Sequence, residues 1–79
     1  MPGKLQVTSK PPAAKVKIDN QLMNQPTPFT FVVSPGEHSV VLTTLAKCST
    51  PKSVTVNSAH VTSINCDATN EGWGTPVIE

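Results

Sequence analysis

The chain contains no arginine and no tyrosine, and its only aromatic residues are Phe29, Phe31 and Trp73. Bidentate recognition of phosphates and bases leans on arginine, and single-strand binding leans on exposed aromatic rings. No nucleic-acid partner is therefore expected. No apolar run approaches the roughly 20 residues of a transmembrane helix, so no membrane insertion is expected either. With only four glycines, the sequence has no Gly-rich phosphate loop, and no Asn-x-Ser/Thr acceptor for N-glycosylation occurs. Charged residues make up only 14% of the chain and the formal charge is +1, which argues against disorder driven by charge.

Val, Ile and Thr supply 23 of the 79 residues, and there are eight prolines. β-Branched side chains disfavour helix, and proline interrupts it. The apolar residues instead recur with period two. Leu5 and Val7 alternate with Lys4, Gln6 and Thr8, and Pro11-Pro12 closes that run. Val16 and Ile18 form a second strand that ends at Asp19-Asn20, a pair suited to a two-residue hairpin turn. Gln21 to Met23 reads as a short return strand, and Asn24 to Pro28 as a turn-rich connection. Phe29, Phe31 and Val33 share one face of the next strand, where core packing is the default for the two rings. Ser34-Pro35-Gly36-Glu37 is a turn, with proline and glycine at the positions a type II turn favours. His38 to Leu45 carries apolar residues on both faces and so predicts a central strand. Val54 and Val56 mark a further strand, and His60 to Cys66 the last.

Six to seven short antiparallel strands with closely spaced turn signals predict an all-β domain, a small β-sandwich or partly open barrel, over residues 4–66. Residues 67–79 are polar, rich in glycine, and acidic through Asp67, Glu71 and Glu79. They read as a flexible tail or linker. Two other readings are that the tail folds back over a sheet edge, or that Trp73, Val77 and Ile78 anchor a partner protein. All six lysines precede residue 67, opposed there only by Asp19 and Glu37, which dots the body with positive charge. Such lysines deter edge-to-edge strand pairing.

A domain this small buries only about 60% of its unfolded surface and is marginal without a staple. Cys48 and Cys66 are either two buried thiols or a disulfide, and the disulfide is the expectation adopted here. It places the chain in an oxidising, extracytoplasmic setting. The start, Met1-Pro-Gly-Lys4, lacks the apolar stretch of a signal peptide, so the expectation is an excised domain or export by another route.

Residues 5–66 resemble the PEGA domain. Leu5, Val7 and Ser9 match the family's opening, and Pro11 and Ala14 are what remains of the run that names it. Val16-Lys17-Ile18-Asp19 matches the family's Val-x-Ile-Asp. Thr27-Pro28 matches a Thr-Pro displaced by one residue, and Pro35-Gly36-x-His38-x-Val40-x-Leu42 is the closest match. Val54-x-Val56 agrees with the last strand pair. Asn20 and Asn24 replace glycines and tolerate left-handed backbone. Ala13 and Ala46 do not, so the backbone is expected to differ there. The family's Gly-Tyr pair is missing beside Cys48, where a disulfide would take over from the aromatic anchor. The resemblance implies a non-catalytic module of a cell-envelope, surface or secreted protein, often beside other domains.

No catalytic site is expected. Seven serines, two histidines and Asp19 form no recognisable nucleophile–base–acid motif. His38, Cys48, His60 and Cys66 have the residue types of a zinc site but lack its close pairwise spacings, so no metal and no cofactor is expected. The functional expectation is a structural or protein-interaction module, working through strand edges or loops. The alternatives are a small ligand- or glycan-binding domain, for which exposed Phe or Trp rings would speak, and a coat or decoration protein of a larger particle.

Overall fold

A computed structural model describes residues 1–79. Strand β1 (Gly3–Lys10) buries Gly3, Leu5 and Val7 and turns Lys4 and Gln6 to solvent, as period two requires. Strand β2 (Lys15–Ile18) leads into the Asp19-Asn20 turn, where φ is +51° and +66°. Positive φ at both central residues is the signature of a type I′ hairpin turn, which suits the twist of the flanking strands. Strand β3 (Gln21–Pro26) runs three residues past the expected return strand, so Asn24 lies within a strand and not in a turn. It lies at a sheet edge, where proline is tolerated because one side needs no N–H donor.

The remaining strands are β4 (Phe29–Val33), β5 (Gly36–Leu42), β6 (Lys52–Val56), β7 (Val61–Asp67), β8 (Gly72–Trp73) and β9 (Val77–Ile78). A single 3₁₀ turn, Ala46–Cys48, lies between β5 and β6. Two sheets result. One has the order β4-β1-β7-β8, with β9 also on β7; the other has the order β3-β2-β5-β6. The sandwich reading therefore holds, and β5 is internal to its sheet, as its two apolar faces predict. Its outward Val41 is only half-buried.

Between the sheets lie Leu5, Val7, Val16, Ile18, Phe31, Val40, Leu42, Val54, Val56 and Ile64, with both cysteines. Each large aliphatic side chain so buried contributes about 1.5–3 kcal/mol against the ordering entropy. Packing is closest at Gly3, where a Cβ would lie 2.4 Å from both Asn57 O and Val56 Cγ1.

Three further expectations need correction. The pairing is not wholly antiparallel, because β1 and β7 run parallel, Leu5 opposite Thr62 and Val7 opposite Ile64. Alternation sets which face a residue takes but carries no strand direction. Ala13 adopts φ +67° after all, held by its N–H bond to the Thr27 carbonyl at 2.8 Å. Ala46, inside the 3₁₀ turn, does avoid positive φ, as does Asn24 in β3. Finally, residues 67–79 are not a free tail. Trp73 pairs with Cys66 and Gly72 with Asp67 in β8, while Ile78 pairs with Thr62 and Val77 with Ser63 in β9. The tail folds back along the open side of β7, which satisfies backbone groups that would otherwise face solvent.

Candidate functional site

Cys48 and Cys66 form a disulfide with a Cα–Cα distance of 6.2 Å, and both are fully buried. Cys48 sits in the 3₁₀ turn after β5 and Cys66 points inward from β7, so the bond ties one sheet to the other. Both sulfurs of the conceivable zinc quartet are thereby committed to each other. His60 Nδ1 lies 2.8 Å from the Ser58 carbonyl, within its own turn. His38 sits elsewhere, between Asp19 and Ser34.

Trp73 pairs with β7 in β8, whereas Val77 and Ile78 pair with it in β9. Trp73 lies beside Cys66, packs on the core, and donates its indole N–H to the Thr50 carbonyl at 3.0 Å. Lys47 Nζ donates to the Asn70 carbonyl in the same region. The first half of the tail therefore closes over the disulfide of its own chain. Val77 and Ile78 remain about half exposed, although their backbones pair with β7. They point to opposite faces, Val77 with Ser63 outward and Ile78 with Thr62 inward. Among the aromatic residues, Phe31 is buried and Phe29 is 40% exposed, with ring centroids 4.8 Å apart. The two rings with exposure, Phe29 and Trp73, lie on β4 and β8 at opposite ends of their sheet and do not form a shelf.

The depression beside β3 has Lys15 as its only ionisable lining residue.

The feature that sequence reading passed over is the outer edge of β4. This strand pairs only with β1, Gly3 opposite Val33, Leu5 opposite Phe31 and Val7 opposite Phe29. Lys4 sends its N–H toward β7, to the His60 carbonyl at 2.9 Å. Backbone direction alternates along a strand, so Gly3, Leu5 and Val7 send theirs toward β4. These bonds engage Phe29, Phe31 and Val33. Thr30 and Val32 consequently aim their N–H and C=O groups away from the sheet. The strand Phe-Thr-Phe-Val-Val carries no charge, proline or glycine. Val32 is 67% exposed, on the outward face beside Lys4. The edges of the second sheet are better guarded: β3 ends in Pro26 and slips register against β2, and β6 opens with Lys52. The sequence signal was there, in five consecutive residues without a gatekeeper, but only topology shows that this strand is an edge.

The family model of the PEGA domain matches residues 2–70. No curated protein and no solved structure matches the chain.

Proposed function

The chain belongs to the PEGA domain family, and on that premise we propose that it serves as a protein-interaction module of a cell-envelope, surface or secreted protein, taking a partner strand at the edge of β4. The family is a non-catalytic one, often found in extracellular or surface proteins. The buried disulfide supports an oxidising compartment, where such bonds persist. The observation that carries the interaction reading is the pair of outward-facing backbone groups at Thr30 and Val32 on an uncharged edge. Strand addition uses such groups for affinity and the alternate side chains for selectivity.

The test is a titration of the 79-residue chain with a lysine-flanked Thr-Val-Thr-Val-Thr peptide, followed by amide NMR. The expected result is perturbation centred on Thr30 and Val32. Perturbation centred on β3 or β6, or none at millimolar peptide on chain held dilute enough to be monomeric, refutes the β4 edge as the interaction site.

A further inference from the structure

We infer that the strand taken up by this edge is β4 of a second copy of the chain, paired antiparallel about a two-fold axis through Phe31. This rests on the reading of β4 as the interaction edge and names its occupant.

The register follows from the backbone. With Phe31 opposite Phe31 of the second copy, Thr30 stands opposite Val32 of the second copy, and Val32 opposite Thr30. These are the residues whose N–H and C=O groups are unengaged on each chain. Each Thr30–Val32 pair exchanges two bonds, as directly opposed residues of a hydrogen-bonded antiparallel pair do. No outward-facing group of the strand interior is then left over. A register shifted by one residue would set the outward groups of one copy against residues already bonded to β1.

Chemistry favours the same occupant. Self-pairing of a charged edge sets like charges against each other, whereas Phe29–Val33 carries none. The pairing also covers the exposed apolar side chains of this edge. Val32 packs beside Thr30 of the second copy on the outer face. Phe29 meets half-buried Val33 of the second copy on the inner side.

The ends of the strand limit the contact. Pro28 has no N–H to give, and the Ser34 carbonyl already lies 2.6 Å from His38 Nε2. Pairing is confined to five residues, and one two-fold contact uses the whole edge. An isologous contact of this kind closes as a dimer and does not propagate through β4.

The experiment is a concentration series of the intact 79-residue chain, read by sedimentation velocity and amide hydrogen exchange, with Val32→Lys alongside. The expected mass rises toward twice the monomer at high concentration. Thr30 and Val32 amides slow at least tenfold over the same range, while Phe31 and Val33 stay protected throughout. V32K, at an exposed position, remains folded by circular dichroism and stays monomeric. A chain that is monomeric at millimolar concentration overturns the inference. So does a dimer in which Thr30 and Val32 exchange unchanged, or in which V32K associates equally well. If the chain stays monomeric but the Thr-Val peptide still perturbs Thr30 and Val32, the second copy is wrong and the β4 edge stands. If neither binds, both are wrong.

Discussion

The imidazole of His38 lies with Nδ1 2.6 Å from a carboxylate oxygen of Asp19 and Nε2 2.6 Å from the carbonyl of Ser34. Both neighbours are acceptors, so this geometry is satisfied in full when both ring nitrogens carry protons. The other Asp19 oxygen accepts the Ser39 N–H at 2.9 Å. The cluster joins the β2–β3 hairpin to the turn before β5, and the His38 side chain is only 10% exposed.

A pH dependence follows. Burial works against the charged ring of His38, but the Ser34 carbonyl and the Asp19 carboxylate outweigh it and raise its pKa above the ordinary histidine value. The Ser39 N–H and then His38 lower the Asp19 carboxyl below its ordinary range. A raised histidine stabilises fully below its unfolded value, about 6.5, and that contribution is lost as pH rises through the folded value. A lowered carboxyl stabilises above its unfolded value, about 3.9, and that contribution is lost as pH falls through the folded value. The pair therefore contributes most between about pH 4 and 6.5. Urea midpoints should decline from pH 6 toward pH 9, and Asp19→Asn should lower the His38 pKa measured by NMR. An unchanged His38 titration in D19N would show that the carboxylate does not hold the ring charge.

Reduction of the disulfide, or Cys48→Ala with Cys66→Ala, should destabilise the fold by about 3 kcal/mol. That is the chain-entropy value for a crosslink of this length, here 18 residues apart. Chemical denaturation with and without reductant measures it. Equal midpoints would mean the sheets hold together without the bond.

Trp73→Ala should cost about 1–3 kcal/mol, less than for a wholly buried tryptophan because the ring is only half-buried. It also removes the donor to the Thr50 carbonyl. Thermal denaturation and the tryptophan emission maximum of the native chain check this. Water-like emission from native protein, together with an unchanged melting temperature in W73A, would return the tail to a free terminus.

Thr27→Val tests a quieter contact. Thr27 is 3% exposed, and its hydroxyl accepts the Ala14 N–H at 3.0 Å and meets the Ser9 hydroxyl. Valine keeps the shape but leaves that buried N–H without a partner, at a cost of about 1–3 kcal/mol. A denaturation midpoint equal to that of the parent chain would show that water reaches the site.

Much of this architecture was legible along the chain. Leu5 with Val7, Val16 with Ile18, and Val54 with Val56 announced inward faces, and Asp19-Asn20 announced its turn. The Asp19–His38 contact was not legible, because its members are 19 residues apart and each looks ordinary where it stands. They meet because Ile18 pairs with Val40, which brings the hairpin turn alongside the start of β5. Trp73, between two glycines, looked mobile for the same local reason. Gly72, at φ +87°, lets the backbone turn close to the Lys47 carbonyl, where a Cβ would sit 3.2 Å away.

The sequence by itself determined the period, and with it which side chains face inward, where several turns fall, and the family resemblance. Tertiary structure alone decided which strands neighbour one another, that β1 and β7 run parallel, that the tail covers β7, and that β4 is left with one side open. The physical reason is that alternation is a local property of a strand. Pairing depends on contacts between residues far apart in the chain, chosen by how two faces fit and how every backbone group finds a partner.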